Sequence, residues 1–273
     1  MCTASLLRAP LHVADKKCRL PMNALAQLTT IQTGTTYALR LARSRDDLRA
    51  AQSLRFAVFN QEMQEGLQSS VDSALDCDVF DAVCDHLLVE HCCSGNVVGT
   101  YRMQSGLSAQ RNLGYYCAQE FEFALFNSLR HEMVELGRAC IAQEHRNFQV
   151  LSLLWRGIAV YAQERGARYL VGCSSLSSQD PADGVAAYRQ LQPHLAPLSL
   201  RTVPTSDYVC ALDVPASAAL HLPKLLSSYL ALGAWICGPP AIDRAFKTID
   251  FLTLMDLQSA DMQQRRRRFG INC

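Results

Sequence analysis

The chain lacks the sequence signatures of most nucleotide- and metal-dependent chemistry. Among its 273 residues there is no G-x-G-x-x-G and no G-x-x-x-x-G-K-[ST], the glycine turns that let a backbone close on phosphate. No G-x-S-x-G elbow occurs; "GCSSLSS" follows a predicted strand but lacks the flanking glycines a strained nucleophile turn needs. The seven histidines form no H-E-x-x-H and the twelve cysteines no C-x-x-C, so the common zinc spacings are missing and no metal site is expected. Charge is nearly balanced, with 26 Lys and Arg against 25 Asp and Glu, which gives no field for nucleic acid. No apolar run reaches the ~18–20 residues of a membrane span. The N-terminal "MCTASLLRAPLHVADKKCRL" is too interrupted for a signal peptide. A cytoplasmic protein is expected, with contact to the inner face of a membrane limited to its surface. In that setting the scattered cysteines read as small buried hydrophobes, with Cys140 and Cys173 the places to look for a nucleophile.

What is present is interleaved strand and helix patterning. Residues 36–42 alternate as a first strand. Ser44 then caps a helix with acids in its first turn. "DHLLVEHC" and "NVVGTYRMQS" form a hairpin around "CSGN", and 121–130 carries a helical pattern. Residues 131–141 read as a strand, 150–165 as an amphipathic helix ending at Gly166, and 168–174 as a nearly continuous apolar strand. Helices over 180–191 and 221–235 and a last strand over 246–257 follow. The expected class is α/β, a mixed central sheet with helices on both faces. The domain would occupy 35–260, between a flexible extension (1–34) and a basic tail (261–273). Arg265 to Arg268 in that tail suit an acidic carrier protein, anionic lipid head groups, or simply water.

Three charged features stand out, the first of them where a core is expected. "HEMVELGRACI" (131–141) reads as a strand but holds Glu135 and Arg138, which places it at an edge or beside a cleft. Asp76, Asp78, Asp81 and Asp85 crowd around Phe80 and His86, as a solvated loop or as a pocket for a cationic amine. "EHRNFQV" places His145 and Arg146 at a helix N-terminus, where unpaired amides favour an anion or polar amide.

Six segments in order, "LRFAVF" (54–59), "DVFDAVCDHLLV" (78–89), "VVGTYRM" (97–103), "ELGRACI" (135–141), "LLWRGIAVY" (153–161) and "GAWICGPPAIDRAFKTIDFLTLMDL" (233–257), resemble the ornithine lipid biosynthesis N-acyltransferases. These form a branch of the GNAT-like superfamily also described as hemolysin-like, and acyl-homoserine-lactone synthases are more distant relatives. The resemblance spans about residues 36–268. It implies a GNAT-like fold with a splayed cleft between the strands 132–141 and 168–174. The pantetheine arm of an acyl carrier protein would lie there, met by His145, Arg146, Asn147 and Phe148. No permanently bound cofactor is implied; the phosphopantetheine thioester is a co-substrate. "HRNFQV" lacks the glycines of acetyl-CoA-binding turns, which suits a carrier-protein donor.

The implied reaction joins a long-chain 3-hydroxyacyl group to the α-amine of an amino acid, ornithine first, with glycine or another amino acid as alternatives. Glu135 would act as base, directly or through water, and Arg138 would fix it or a substrate carboxylate; the pair read structurally would be a simple ion pair. Arg55 and Arg102 suit the amino acid carboxylate, and Asp76, Asp78 and Asp81 its side-chain ammonium. Each of these also reads as solvated surface. Two rival readings are a non-catalytic, membrane-associated hemolysin-like protein and a synthase using S-adenosylmethionine. The latter carries an N-terminal tryptophan-rich segment, whereas Trp155 and Trp235 lie far downstream.

Overall fold

A computed structural model describes residues 31–33, 36–218 and 220–259. The basic tail with Arg265 to Arg268, and all of the expected N-terminal extension except Ile31–Thr33, lie outside the described residues. The strands are β1 (Ile31–Thr33), β2 (Tyr37–Leu41), β3 (Asp85–His91), β4 (Val97–Ser105), β5 (Met133–Ile141), β6 (Tyr169–Leu176), β7 (Trp235–Ile236), β8 (Ala241–Asp243) and β9 (Thr248–Asp256). They form one sheet in the order β1-β2-β3-β4-β5-β6-β9-β7, with β8 also on β9. Every pairing is antiparallel except the central β5–β6 pair, which is parallel. The sheet begins at β1, four residues before the expected domain edge.

Helices cover both faces. Helix α1 (Arg45–Phe56) starts on a capping box: Ser44 accepts from the Asp47 amide while Asp47 reaches back to the Ser44 amide, satisfying two orphan donors. It lies over the face of β4 that carries Arg102. Helix α3 (Phe148–Glu164) is capped by Asn147 and covers the opposite face, burying Val150, Leu153, Leu154, Ile158 and Tyr161 against Leu39, Leu87, Tyr101 and Met103. That one-sided i, i+3, i+4 stripe is the pattern read from sequence. Gly157 sets the approach distance, because a Cβ there would stand 2.7 Å from the Leu87 side chain. Shorter helices complete the fold: α2 (Gly106–Arg111), α4 (Pro181–Leu191) and α5 (Lys224–Ala231). No helix among the described residues is long and apolar enough to cross a membrane.

Two expectations need correction. Residues Ala124–Glu132 wind as 3-10 helix rather than α-helix, and Phe123, Phe126 and Leu129 recur every third position, the period of that tighter coil. The helix expected over 221–235 is confined to α5, because the chain must turn at Gly233 (φ +90°) to enter β7.

Candidate active site

β5 and β6 pair only over Met133–Tyr169, Val134–Leu170 and Glu135–Val171, although β5 continues to Ile141 and β6 to Leu176. The strands part beyond that point. The fork is held tight at its base by Gly172, where a Cβ would press on the Leu136 carbonyl oxygen. Past the fork lies a cavity of about 520 Å³. Val58, Phe59 and Met63 form one wall, on and just after a π-helical turn (Ala57–Glu62) that continues α1. Tyr101, Leu154 and Leu226 are among its other apolar lining residues.

Glu135 and Arg138 both line this cavity. In a regular strand residues three apart point to opposite faces. Here the β4–β5 register skips between Thr100 and Arg102, and Arg138 adopts φ +50°. This bulge resets the alternation so that both charges serve one space. They do not pair with each other. Glu135 is buried and accepts from the Cys117 amide (2.8 Å), the Tyr116 amide (3.0 Å) and the Gln104 side chain (2.6 Å). Arg138 turns instead to Asp78 (3.0 Å) and Asp76 (3.5 Å), with its guanidinium 4.9 Å from the Tyr116 ring centroid and 4.4 Å from that of Phe246. The expected link from Arg138 to Glu135 is therefore replaced by one to the acidic segment 76–81.

Arg55, Asp76, Asp78, Asp81, Arg102 and Arg138 are brought together as one cluster of three arginines and three aspartates. Arg55 is fully buried and bridges Asp76 (3.3 Å) and Asp81 (2.5 Å). Arg102 bridges Asp78 (2.6 Å) and Asp81 (3.0 Å). Burial pushes the Asp81 and Asp78 carboxyls upward, but the guanidiniums outweigh it and hold both below the usual range. His86, in the same cluster, is driven down to about 4 chiefly by burial and is neutral at pH 7. Arg102 and Arg138 reach the cavity lining, whereas Arg55 and the three aspartates stand behind it.

The turn before α3 is less concentrated than its sequence implied. His145 Nδ1 lies 2.9 Å from the Tyr37 hydroxyl, and the Asn147 amide nitrogen 3.2 Å from the same oxygen. Arg146 lines the cavity rim and forms a bidentate pair with Glu62. Phe148 is exposed. Cys140 and Cys173 also line the cavity. Burial pushes the Cys140 thiol up to about 12, and a hydrogen bond with Cys117, with burial, raises Cys173. Both are thiols, not thiolates, at neutral pH.

Sequence reading missed Gln104 and Tyr116, and it missed Glu120, Asp243 and Asp250, whose carboxylates converge within 4.8 Å on the cavity wall. The visible signal was an acid inside otherwise apolar strands, "AID" and "TIDFLTLMD".

The family model described as "Acetyltransferase (GNAT) domain" matches residues 54–156. The chain is 33% identical over 241 residues to the L-ornithine N(alpha)-acyltransferase of Agrobacterium fabrum, covering 82% of each chain. It is 31% identical over 252 residues to the enzyme of that name from Rhodobacter capsulatus, covering 86% of this chain and 94% of the relative. Among solved structures, a CoA-dependent acyl-homoserine lactone synthase, BjaI, with MTA superposes with a TM-score of 0.51 at 12% identity, covering 87% of this chain and 91% of that one. The last likeness bears on the fold alone, and it agrees with a GNAT-like sheet.

Proposed function

The chain belongs to the L-ornithine N(alpha)-acyltransferase family, and from that premise we propose that it transfers a long-chain 3-hydroxyacyl group from acyl carrier protein to the α-amine of ornithine. The observation that carries this reading is the forked β5–β6 pair opening on an apolar cavity, with a fixed carboxylate and a strand bulge at its base. Beyond Glu135 the edge of β5 no longer pairs with β6, so its main-chain groups are available to an extended pantetheine arm, as a strand added to a sheet. The apolar wall suits the acyl chain.

The α-amine attacks the thioester carbonyl carbon, the carbonyl electrons move to oxygen, and on collapse the C–S bond breaks to leave an amide and a thiol. The amine must shed a proton to react. Glu135 takes it, directly or through a water, at the acceptor site that Oε1 keeps free, and returns it to the departing sulfur so that the thiol leaves neutral. Broken ladder geometry at the bulge leaves main-chain groups beside the thioester oxygen, where negative charge develops. Arg102 and Arg138, at the cavity wall, take the amino acid carboxylate, while Arg55 and the aspartates behind them hold the forks in place.

Delivery by a carrier protein rather than free coenzyme A fits the turn before α3. It has no glycine, its cap is filled by Asn147, and Arg146 is committed to Glu62, so nothing there cradles a pyrophosphate. Purified protein incubated with 3-hydroxyacyl carrier protein and a panel of amino acids, read by mass spectrometry, should yield N-acylornithine. Preferred acylation of glycine, or equal efficiency with acyl-coenzyme A, would redirect the acceptor or donor assignment. No amide with any acceptor would overturn the catalytic reading in favour of a binding protein.

A further inference from the structure

Asp76, Asp78 and Asp81 were the acids expected to hold a cationic side chain, but each is already engaged by guanidinium groups. A second acidic group has no such partners. Glu120, Asp243 and Asp250 come from three separate segments and are all buried. None of the three makes an ion pair with an arginine, lysine or histidine among the described residues.

Their remaining hydrogen bonds are few. Asp243 Oδ1 accepts from the Ala245 and Phe246 amides. Asp250 Oδ2 accepts from the Thr248 hydroxyl and Glu120 Oε2 from the Cys173 thiol. Asp250 Oδ1, in a residue only 3% exposed, is buried with no fixed donor on it, although the Ser175 hydroxyl and the Glu120 carboxyl both lie within hydrogen-bonding reach of the Asp250 side chain, the latter by sharing a proton. Glu65 faces the same cavity and also has a buried, unpartnered carboxylate oxygen. Buried carboxylates without partners are costly in a folded protein unless something fills the space between them.

We infer that Glu120, Asp243 and Asp250, with Glu65 beside them, form the seat for the side-chain ammonium of a diamino-acid acceptor. This rests on the acyl-transfer reading above and adds the origin of its selectivity. A primary ammonium offers three N–H donors, matching three carboxylates that converge from different directions. Placement fits as well. Glu135 takes the amides of Tyr116 and Cys117, and Glu120 closes the same 3-10 turn (Tyr116–Gln119). The two ends of that turn thus present Glu135 and Glu120 to the same cavity. One amine would then lie at the fork near Glu135 and the other among the acids. Burial, together with repulsion from Asp250 and Asp243, raises the Glu120 carboxyl well above its ordinary value, and a bound cation relieves that repulsion.

The test compares L-ornithine with L-norvaline, which has the same carbon chain without the terminal amine. Wild-type enzyme should bind ornithine by isothermal titration calorimetry, and favour it in kcat/KM by about 10–100-fold, the discrimination expected from charge-assisted hydrogen bonds. Asp250→Asn and Glu120→Gln, shown to be folded by their thermal transitions, should reduce that preference by a similar factor, mainly through KM. Equal use of ornithine and norvaline by wild-type enzyme would overturn the seat while leaving acyl transfer intact. So would an unchanged preference in both variants. Ornithine binding that depends on Asp250 and Glu120 but yields no amide with any donor would support the seat and overturn the reaction. Magnesium, manganese and zinc are titrated separately. Tight binding of one of them, lost in Asp250→Asn, together with ornithine selectivity that ignores both variants, would make this a metal centre instead.

Discussion

Replacing Glu135 by glutamine separates the chemical role of this side chain from its structural one. The carboxylate accepts three hydrogen bonds, one on Oε1 from Cys117 and two on Oε2 from Tyr116 and Gln104. A glutamine carbonyl can serve the two-donor side, and its NH₂ must then face the Cys117 amide. One buried donor is left against another donor, an arrangement that costs about 1–3 kcal/mol. With a typical domain stability of about 5–15 kcal/mol, roughly nineteen molecules in twenty or more stay folded. Unfolding therefore cannot account for the loss of turnover expected on removing a general base, about 10²–10⁴-fold. Urea unfolding gives the stability term, and single-turnover amide formation at saturating donor gives the rate. The rate deficit should shrink as pH rises toward the amine's own pKa. Gln104→Leu removes one donor and keeps the carboxylate, so its rate should fall by less than about 10-fold. Turnover of Glu135→Gln within threefold of wild type, or a Gln104→Leu defect as deep as its own, would refute the assignment.

Further outcomes follow from the rest of the site. Arg55→Met leaves buried Asp76 with Arg138 alone and Asp81 with Arg102 alone and should cost about 3–5 kcal/mol; in a urea double-mutant cycle, adding Asp81→Asn should recover part of it, with a coupling of about 0.5–3 kcal/mol. Arg138→Lys keeps the charge but loses the planar fork between Tyr116 and Phe246, so kcat/KM for the amino acid should fall although the protein melts cooperatively. Gly172→Ala forces a Cβ onto the Leu136 carbonyl oxygen and should impair transfer and lower Tm, whereas Gly95→Ser, on an exposed turn with open space but a backbone at φ +71°, should lower Tm through strain and leave transfer unchanged. Stability should also depend on pH in two opposite senses. Asp78 and Asp81 are held below their unfolded values, so their contribution is present above about pH 4 and is lost as pH falls through their depressed folded values. Glu120 and Asp250 are raised, so theirs is present below about pH 4 and lost as pH rises through their folded values. Tm measured against pH should peak on the acid side of neutrality, and Asp250→Asn should flatten the neutral limb.

Much of the sheet was legible because its signals are local. The N-cap at Ser44, the "CSGN" hairpin and the apolar stripe of α3 each depend on neighbours in sequence, and each element formed where its pattern lay. The charge pair in β5 was legible as an anomaly but not as a geometry. Whether Glu135 and Arg138 share a face is decided by the skipped register opposite β4, a property of two strands that one strand's alternation does not contain. Asp76, Asp78 and Asp81 looked like a ligand site because the arginines that engage them lie on α1, β4 and β5, up to 62 residues away in sequence.

The two charge clusters divide the work of the site by how completely each is paired. Three guanidiniums and three aspartates neutralise one another around Arg55, and such a closed network leaves little for a ligand to gain by entering it. Its value lies in fixing where Arg102 and Arg138 present themselves, since every fork is held on two sides. The acids at 120, 243 and 250 are the reverse: buried, close together, and unmatched by any cation in the described structure. Such acids either stay protonated, as the raised Glu120 and Asp250 carboxyls allow, or meet a cation from outside the protein, and among the reactants of an amide-forming enzyme the acceptor's second amine is the one that brings it. On the proposed reading, Glu135 serves the reaction and the acids at 120, 243 and 250 its acceptor. Neutralising all three acids together should therefore change which amino acid is used before it abolishes transfer, whereas neutralising Glu135 should do the opposite.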